Sequence, residues 1–462
     1  MTLKTEPYLH QKKAVEKVEQ IKVGALYMEQ GTGKTRTALE LIAKRHNTGK
    51  VTKILWLCPC SVKTTIAHEV IEHVGLIKDL IICGIETLSS SSRTYAHLLQ
   101  IVKDQKTFLI VDESNLVKNP QAIRTERITS LAEYCQYKLI LNGTPITKNE
   151  TDLFAQWYIL DWRILGYKSF WSFEKNHIQY DETYKHKIVR MLNVEYLVNK
   201  IAPYTYQVTK DECLDLPDKI YDTFYYKLTK NQRRHYNDVC DALLLEVDEY
   251  KPYIMYRLFT AIQNVVCGLH VEDVDEKLEM SPFFNDPLDN PRIQILLEIV
   301  ERFEDKIIIF CKYTFEINDV IKTLNDKYGK DSAVPFNGEV RQKVRQGNID
   351  KFRNNARFLV ANKVTAGYGL NLQHCNIMIY YSNDFNFATR AQSEDRIHRI
   401  GQKRRVHIID ICAEKTIDER ISSSLSRKEN LADSFKRKID KIKDNKDLKA
   451  LKEWIDGKGG KT

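Results

Sequence analysis

The chain has 462 residues, more than one ordinary hydrophobic core encloses, so we expect two domains of roughly 150 to 200 residues with insertions. Hydrophobic residues make up 43% and charged residues 29%, a globular mixture that excludes a chain disordered throughout. The net charge of +9 permits a polyanionic partner, but the excess is modest for this length and favours nucleic acid only weakly.

Cysteine usage and the amino terminus indicate the compartment. The ten cysteines are scattered, and the close pair Cys58 and Cys60 has no second pair at zinc-site spacing, so we expect reduced thiols in the core. The amino-terminal segment carries charges throughout and has no apolar stretch of the signal-peptide type. We therefore expect a soluble protein without membrane contact, in the cytoplasm of a bacterial or phage-infected cell, or nuclear if the source is eukaryotic.

Gln11 lies at the start of the first candidate helix, whose apolar residues Ala14, Val15, Val18 and Ile21 share one face. A glutamine carboxamide can pair bidentately with an adenine edge. Taken alone, a glutamine at a helix start is more often a solvated surface residue. Both interpretations stay open on this residue alone.

The segment Val23–Thr35 predicts a strand, a phosphate-binding loop and the start of a helix. Its glycines let backbone N–H groups turn toward a polyphosphate, Lys34 reaches the β and γ phosphates, and Thr35 offers a hydroxyl to Mg²⁺. Met28 departs from the usual pattern, because it stands where G-x-x-x-x-G-K-[ST] has its first glycine. The alternative is a glycine-rich turn with an incidental lysine. The nucleotide-binding assignments in this loop are Gln30, Gly31, Thr32, Gly33, Lys34 and Thr35.

Two acidic residues at a strand end are the strongest partners of this loop. The runs Ile54–Cys58 and Leu80–Cys83 predict buried parallel strands, and Phe108–Asn115 predicts a central strand that delivers Asp112 and Glu113 to its carboxyl end. There Asp112 can bind Mg²⁺, and Glu113 can orient or deprotonate an attacking water. The alternative is a strand that ends in an exposed acidic turn.

After the strand and turn of Lys138–Pro145 the alternation of strands and helices pauses. Residues 151–290 predict mostly helices, which we interpret as insertions and a junction between two lobes, with aromatic residues that serve the core. A second parallel sheet without its own phosphate loop is then indicated by five short apolar runs. These runs are Lys306–Phe310, Ala333–Phe336, Arg357–Ala361, Ile377–Tyr381 and Val406–Ile411.

The segment Gln392–Gln402 carries two arginines, Arg396 and Arg399, which helical spacing would place on one face with Gln392 one turn earlier. Two guanidinium groups presented together suit the charge that spreads over γ-phosphate oxygens in a transition state. The alternative is a solvated basic helix face.

The motifs follow one order through nearly the whole chain. They are YLHQ (8–11), MEQGTGKT (28–35), LCPCSV (57–62), VDES (111–114), VKNP (117–120), LNGTPITKN (141–149), IAPYTYQVTKDE (201–212), IIIFCKYT (307–314), TAGYGLNL (365–372) and AQSEDRIHRIGQKRRV (391–406). In this combination the chain resembles the Swi/Snf-type helicase-like ATPases of superfamily 2, which use ATP to track along duplex DNA. The last string is the most specific, because Q-x-x-D-R-x-H-R-x-G-Q is rarely met outside this family.

The resemblance implies a role for each matching residue. Gln11 would contact adenine, Lys34 and Thr35 would hold the phosphates and Mg²⁺, and Asp112 and Glu113 would serve the metal and the water. Gln392, Arg396 and Arg399 would complete the ATP site from the second lobe. Sequence-independent contacts to the DNA backbone would come from Ser61, Lys118, Asn119, Lys312, Thr365 and Asn386.

Four positions depart from the family pattern. Asn115 replaces the usual histidine of D-E-x-H, Tyr368 replaces a glycine, Gln207 stands where arginine is common, and Phe385 replaces a tryptophan. None of these removes a phosphate, metal or arginine-finger residue, so we still expect hydrolysis. The change at Asn115 bears on how tightly hydrolysis is coupled to lobe closure.

The resemblance implies an α/β fold of two RecA-like parallel-sheet lobes with helical insertions and a basic helical C-terminal tail. We place the ATP-binding lobe 1 at 1–215 with a helical insertion at about 151–200, and lobe 2 at 216–420 with an insertion at about 228–290. The tail is then 421–462, where the run Lys436–Lys443 braces the lobes, lies along DNA or is simply solvated.

The function expected from this sequence is that of a monomeric, ATP- and Mg²⁺-dependent motor that moves along double-stranded or branched DNA. One alternative is a helicase that separates strands of DNA or RNA. Another is a DNA-binding scaffold with little ATP turnover, which the asparagine at position 115 makes conceivable.

Overall fold

The computed structural model describes residues 1–143, 150–181, 188–245, 252–274, 277–362, 370–427 and 448–456. The chain divides into two compact units. Unit 1 comprises residues 1–215 with 368–370, and unit 2 comprises 216–367 with 371–462. Among the described residues, none of the helices has the length and apolar character needed to cross a lipid bilayer.

Unit 1 is built on a six-stranded, wholly parallel sheet. Its strands lie in the order β3-β2-β4-β5-β1-β8. The strands of the unit are β1 Val23–Met28, β2 Lys53–Cys58, β3 Leu80–Gly84, β4 Thr107–Asp112, β5 Tyr137–Asn142, the hairpin strands β6 Ile178–Tyr180 and β7 Ile188–Met191, and β8 Thr205–Val208. Its helices are α1 Leu9–Glu19, α2 Lys34–Asn47, α3 Lys63–His73, α4 Thr87–Ser90, α5 Ser92–Asp104, α6 Ile123–Glu133, α7 Asp152–Leu165, α8 Phe170–His177, α9 Val194–Ile201 and α10 Lys210–Cys213.

Both faces of this sheet are covered, which explains why its strands are continuous apolar runs. On β2, Leu55 and Leu57 belong to one buried cluster, whereas Ile54, Trp56 and Cys58 belong to another on the opposite face. Successive side chains of a strand point to opposite faces, so each strand of a doubly covered sheet must be apolar throughout. The same arrangement makes the carboxyl ends of β1, β2, β4 and β5 meet at one edge.

Unit 2 contains a second six-stranded parallel sheet in the order β13-β14-β12-β15-β16-β9. Its strands are β9 Lys219–Tyr226, the hairpin strands β10 Leu269–Val274 and β11 Lys277–Pro282, β12 Ile307–Cys311, β13 Ala333–Phe336, β14 Phe358–Asn362, β15 Ile377–Tyr380 and β16 Val406–Ala413. Its helices are α11 Lys230–Leu245, α12 Pro252–Cys267, α13 Pro291–Val300, α14 Thr314–Tyr328, α15 Gln342–Asn354, α16 Phe387–Glu394, α17 Ile417–Ser426 and α18 Leu448–Ile455.

The two parallel sheets expected from the apolar runs are confirmed, but the mostly helical reading of 151–290 was incomplete. That region also contains the edge strands β8 and β9 and two short antiparallel hairpins. Most residues of β9 are exposed or half-buried, and they include Tyr221 and Tyr225, which are both more than half exposed. With only one buried residue, β9 lacks the continuous apolar run of a buried strand, so this pattern did not identify it.

The described part of the C-terminal tail packs into unit 2. Trp454 and Ile455 of α18 are buried in the unit 2 core, and Arg420 of α17 lies over the Trp454 ring at 4.3 Å. The Arg420 Nε also donates to the Trp454 carbonyl at 2.8 Å. This helix is therefore part of the fold, whereas the basic run 436–443 lies outside the described residues.

We expect Trp454→Ala to destabilise unit 2 by about 3 to 5 kcal/mol, because it removes a buried aromatic side chain and leaves a cavity. Thermal unfolding of the full chain measures this as a lower midpoint for the unit 2 transition. Glu453→Ala is the matched control, since Glu453 lies exposed on the same helix. Equal midpoints for Trp454→Ala and the native chain would contradict the packing of α18.

Candidate functional site

The loop between β1 and α2 is shaped to receive an anion. Gly31 and Gly33 adopt φ angles of 83° and 85°, in the left-handed region that glycine enters without steric cost, and Gly33 caps α2. Helix α2 then begins at Lys34, so its unpaired N–H groups and positive dipole end face the loop. This geometry supplies the backbone donors that a phosphate group requires.

Lys34 lies across the loop with its side chain turned back toward β1. Its Nζ donates to the Met28 carbonyl at 2.9 Å. The residue that replaces the first glycine of the phosphate-loop pattern thus contributes its backbone oxygen, a group that methionine and glycine share. Met28 is fully buried in the core, so its side chain serves packing.

Helix α1 holds the loop from one side. The Thr32 carbonyl accepts hydrogen bonds from His10 Nε2 at 2.8 Å and Gln11 Nε2 at 3.1 Å, and the Gln11 Oε1 accepts the Tyr8 N–H at 3.1 Å. Both ends of the Gln11 carboxamide are therefore engaged, so an adenine contact requires an exchange of these bonds. Sequence reasoning gave His10 no role, and its place beside Gln11 in YLHQ was the available signal.

The loop is also tied to the last strand of the unit 1 sheet. Met28 pairs with Val208, the Glu29 N–H donates to the Val208 carbonyl at 3.0 Å, and the Glu29 Oε2 accepts the Lys210 N–H at 2.7 Å. The string IAPYTYQVTKDE thus contains β8 and the residue that meets the phosphate loop. Its strand was missed because β8 has only one buried residue.

Asp112 and Glu113 lie at the carboxyl end of β4, as the sequence predicted. Asp112 is 7% exposed, and its Oδ1 accepts the Glu113 N–H at 2.9 Å. Burial raises the pKa of Asp112, the adjacent Glu113 carboxylate raises this pKa further, and the Lys34 ammonium lowers it. A buried carboxylate in this setting favours a cation beside it.

Glu113 connects this strand end to the phosphate loop. Its backbone is left-handed, with φ 49° and ψ 54°, a conformation that is costly for a residue with a side chain and concentrates at functional sites. The Glu113 Oε1 accepts a hydrogen bond from Gln30 Nε2 at 3.5 Å. The carboxylate expected to act on water is therefore positioned beside the loop expected to bind phosphate.

The residues present fit a magnesium ion. The Thr35 hydroxyl and the Asp112 carboxylate are hard oxygen donors, which Mg²⁺ prefers together with phosphate oxygens and water. The buried Asp112, whose pKa is raised by burial and by Glu113, is stabilised in its charged form by such a cation. We assign these two residues to the metal as a proposal below.

A buried polar network supports the segment after Glu113. The Ser114 hydroxyl donates to Gln156 Oε1 at 2.5 Å and accepts from Asn142 Nδ2 at 3.3 Å, which joins the ends of β4 and β5 to α7. The Asn115 Oδ1 is buried and finds no hydrogen-bond partner among the residues that the structure describes, a costly arrangement for an acceptor. Sequence reasoning missed Gln156, because a single glutamine in a helix gave no signal.

Gly143, directly after β5, allows a close approach to the phosphate loop. A Cβ atom at this position would lie 3.1 Å from the Gln30 Cγ, 3.3 Å from the Gln30 nitrogen and 3.6 Å from the Lys34 Nζ. The two separations from Gln30 are shorter than ordinary van der Waals contact, so the loop would have to shift by a few tenths of an ångström to accept a side chain. The turn predicted from the string LNGTP thus contains a residue that touches the site.

We expect Gly143→Ala to weaken ATP binding or turnover by about tenfold while the unfolding midpoint changes little, because a shift of a few tenths of an ångström misaligns the loop. Steady-state ATP turnover measures this effect. The control is Gly347→Ala in α15, where a Cβ would meet nothing within 4 Å. Unaltered kinetics in Gly143→Ala would show that the loop does not depend on this contact.

The residues assigned to DNA in unit 1 follow β2 and β4. Ser61 is exposed in a 3₁₀ turn after β2. Asn119 is exposed, and its Oδ1 accepts the Gln121 N–H at 3.0 Å. Lys118 is half-buried and forms an ion pair with Asp152 at 3.6 Å. Ser61 and Asn119 are thus accessible to a ligand.

The residues of unit 2 that we assigned to DNA lie in different environments. Asn386 is exposed just before α16, and Thr365 lies outside the described residues. We expected Lys312 to be accessible to a DNA phosphate, but its ammonium group contacts the protein instead. Its Nζ donates to Gln263 Oε1 at 2.6 Å and lies 3.6 Å from the centre of the Phe385 ring. Burial lowers the pKa of Lys312 to about 8, although Asp384 opposes the shift.

The arginine segment has a different local structure from the one predicted. Helix α16 ends at Glu394, so Arg396 and Arg399 lie in the turns that follow and not on a helix face with Gln392. The Arg399 Nη1 donates to the Asn371 Oδ1, and the Arg396 carbonyl accepts the Leu372 N–H at 3.1 Å. After Glu394 the backbone continues in turns, where the His398 N–H donates to the Glu394 carbonyl at 3.0 Å, and the Gln402 side chain holds these turns against the segment 371–375.

Gln402, the last residue of this motif, holds the turn together. Its Nε2 donates to the Cys375 carbonyl at 2.9 Å, and its Oε1 accepts the N–H groups of Lys403 and Arg404, each at 3.0 Å. The side chain is buried. Gln402 therefore positions the turn that carries Arg396 and Arg399.

Arg390 anchors the same segment from within the fold and was missed by sequence reasoning. Its guanidinium pairs with Asp410 through Nη1–Oδ1 at 2.7 Å and Nη2–Oδ2 at 2.8 Å, and its Nε donates to Glu394 Oε1 at 3.1 Å. Burial lowers the pKa of Arg390, but the Asp410 carboxylate more than reverses this and the net shift is upward. The pair fixes α16, which carries Gln392, to β16.

Three protein families match successive parts of the chain. The family described as type III restriction enzyme, res subunit, matches residues 4–73. The SNF2-related domain matches residues 75–264, and the helicase conserved C-terminal domain matches residues 291–401.

Several curated relatives carry helicase names, and another is named for DNA repair. The chain is 24% identical over 94% of its length to the uncharacterized ATP-dependent helicase YqhH of Bacillus subtilis, 80% of which is covered. It is 28% identical over 72% of its length to an uncharacterized ATP-dependent helicase of Mycoplasma pneumoniae, of which 31% is covered. It is 25% identical over 70% of its length to the DNA repair and recombination protein RAD26 of Saccharomyces cerevisiae, of which 31% is covered. The chain thus spans about a third of the length of several relatives it matches.

Among solved structures, the chain is similar to the SWI2/SNF2 ATPase core of Sulfolobus solfataricus in complex with double-stranded DNA. The sequences are 22% identical, 97% of each chain is covered, and the TM-score is 0.40.

Proposed function

Because this chain belongs to the SNF2-related, superfamily 2 helicase family, we propose that it is a DNA-dependent ATP hydrolase that moves along double-stranded DNA. The observation that carries the proposal is the convergence of the phosphate loop and the acidic pair in unit 1. Gln30 of the loop donates to Glu113, whose backbone N–H donates to Asp112.

In the proposed mechanism the backbone N–H groups at the start of α2 and the Lys34 ammonium bind the β and γ phosphates of ATP. Lys34 exchanges the Met28 carbonyl, which it contacts at 2.9 Å, for the phosphate oxygens. Glu113 accepts a proton from the attacking water or orients it, with Gln30 holding the carboxylate beside the loop. Gln11 keeps the loop in place through the Thr32 carbonyl and contacts adenine when these bonds exchange.

Thr35 and Asp112 hold the magnesium ion in this proposal. When bound, Mg²⁺ would neutralise charge on the phosphate oxygens while the γ-phosphoryl group is transferred to water. Asp112 is suited to this role because burial and the Glu113 carboxylate raise its pKa, and a cation bound beside it would favour its charged form.

We assign Gln392, Arg396 and Arg399 of unit 2 to the same triphosphate. Two arginines in a short turn can stabilise the charge that develops on the γ phosphate, as an arginine finger does. What supports this assignment is that Gln402 and Arg390 fix the two ends of their segment. Rigid support of a charged group is what electrostatic stabilisation of a transition state needs.

The proposed partner is double-stranded or branched DNA, bound by a monomer through phosphate contacts that carry no sequence information. Ser61, Asn119 and Asn386 are the accessible members of the proposed contact set. Lys118 and Thr365 complete the set, and Lys312 acts by positioning Gln263 and Phe385.

The experiment that tests the proposal is ATP turnover measured in parallel with duplex DNA, single-stranded DNA, branched DNA and RNA. We expect duplex or branched DNA to stimulate turnover most. A triplex-forming strand should be displaced from a duplex faster than a labelled fork is unwound. Faster fork unwinding would favour a strand-separating helicase instead.

A DNA-binding scaffold with little turnover is the second candidate. The observation in its favour is the buried Asn115 Oδ1, which has no hydrogen-bond partner within the described ranges. Phosphate release measured with and without plasmid DNA separates the two candidates. Absence of release, with intact plasmid binding, would favour the scaffold.

A further inference from the structure

Unit 1 has a groove outside the proposed ATP site, with a volume of about 320 Å³. It is formed by α6, the first turns of α7 and the segment that leads into α8. This volume lies at the lower end of the range for binding pockets and suits one or two side chains of a partner.

One wall of the groove is acidic. Glu126 and Glu133 line it from α6, and they are seven positions apart in sequence, so they lie on one helix face about 10 Å apart along the axis. Both side chains are exposed. Across the described parts of the chain, no lysine, arginine or histidine forms an ion pair with either carboxylate.

The opposite wall is aromatic and rigid. Phe154, Tyr158 and Phe170 line it, and the Phe154 ring packs against the other two with centroids 5.6 and 5.4 Å apart. Phe154 also packs against the buried Phe173 at 5.2 Å, which fixes the wall to the core. The rings are thus held before any ligand arrives.

Lys168 is the one basic residue among those that line the groove, and its charge is partly engaged elsewhere. Its Nζ lies 5.0 Å from the centre of the Trp162 ring, within the range of a cation–π contact. Two carboxylates therefore outweigh one lysine in the groove, although the chain as a whole carries a net charge of +9.

We propose that this groove binds an arginine side chain of a basic peptide segment in a protein partner. A guanidinium is planar, stacks on aromatic rings and donates to carboxylates in a fixed geometry, so it matches both walls at once. Nucleic acid does not suit the groove, because its phosphates would face Glu126 and Glu133. The positive charge of the remaining surface repels a basic peptide and leaves this groove as a favourable place for it.

The probe is a short fluorescein-labelled peptide of glycine and serine with two central arginines, and fluorescence anisotropy measures its binding to the full chain. We expect the double variant Glu126→Gln, Glu133→Gln to raise the Kd about tenfold, because the charge-assisted hydrogen bonds are lost. The control variant Glu16→Gln, Glu72→Gln removes the same charge from exposed positions on α1 and α3 and should bind as the native chain does. The same peptide with citrulline in place of arginine should bind weakly, since citrulline keeps the shape and loses the charge.

The aromatic wall is tested separately. Tyr158→Leu should raise the Kd several-fold, because an aliphatic side chain offers no ring face to a guanidinium, whereas Tyr158→Phe should bind like the native chain. Equal binding by the native chain and the Glu126→Gln, Glu133→Gln variant would overturn the proposal. So would equal losses in the control variant, equal binding of the citrulline peptide, or displacement of the peptide by duplex DNA. None of these measurements depends on ATP turnover.

Discussion

Lys34→Ala is expected to lower the rate of ATP hydrolysis by about 10²- to 10³-fold or more, because it removes the charged donor aimed at the β and γ phosphates. The side chain is the one cation that the structure places on the phosphate loop itself, with its Nζ 2.9 Å from the Met28 carbonyl. DNA binding should remain largely intact, since no proposed DNA contact involves Lys34. Phosphate release in the presence of plasmid DNA measures turnover, and a mobility-shift titration measures DNA binding.

Lys44→Ala provides the matched control. Lys44 lies on the same helix α2, is about half exposed and pairs with Glu19 at the surface, so its loss removes an identical charge without touching the loop. Turnover by Lys44→Ala should equal that of the native chain. Substantial hydrolysis by Lys34→Ala would remove the phosphate-loop assignment, and with it the proposed ATP site.

Asp410→Ala is expected to destabilise unit 2 by about 3 to 5 kcal/mol, because it leaves the Arg390 guanidinium buried without its bidentate partner. Both residues are more than nine-tenths buried, so water cannot solvate the guanidinium that loses its partner. Thermal or urea unfolding of the full chain measures the loss. Turnover at low temperature should also fall, since α16 carries Gln392 and depends on this pair for its position.

Two further variants separate the cost of burying the Arg390 charge from the attraction between Arg390 and Asp410. Lys351→Ala breaks the exposed pair with Asp331 from a helical position and should change stability by no more than about 0.5 kcal/mol. The double variant Arg390→Met, Asp410→Leu replaces the buried pair by apolar groups and should recover much of the stability lost in Asp410→Ala. If Asp410→Ala unfolds with the native midpoint, the pair has no role in holding α16.

The central strands could be predicted because burial on both faces forces a continuous apolar run. The runs 54–58 and 108–111 lie within β2 and β4. The edge strands β8 and β9 could not be predicted in this way, because each has only one buried residue, whereas the edge strand β13 is mostly buried and coincides with the predicted run Ala333–Phe336. A hydrophobic pattern reflects burial, so it identifies strands whose residues are buried and misses strands whose residues are mostly accessible to solvent.

In the candidate site, the residues proposed to contact a ligand could be predicted from the sequence, whereas the residues that support them could not. Residues that must touch a ligand, such as Lys34 and Glu113, stand in short strings whose spacing reflects the chemistry. Residues that hold these strings in place came from distant elements: Gln156 from α7 and Asp410 from β16. Their identity depends on which elements pack together, and no local pattern contains that information. The helix end at Glu394 was missed for the same reason, because groups that hold the turns after it, the Leu372 N–H and the Cys375 carbonyl, lie in the distant segment 371–375.

The hydrogen bond between Glu29 Oε2 and the Lys210 N–H has a mechanical consequence. Glu29 adjoins the loop that receives the phosphates, and Lys210 begins α10, after which the chain passes into unit 2 at Leu216. The phosphate loop is therefore hydrogen-bonded to the segment that leads directly into unit 2. We expect a ligand that moves Glu29 to move the start of that segment through this hydrogen bond.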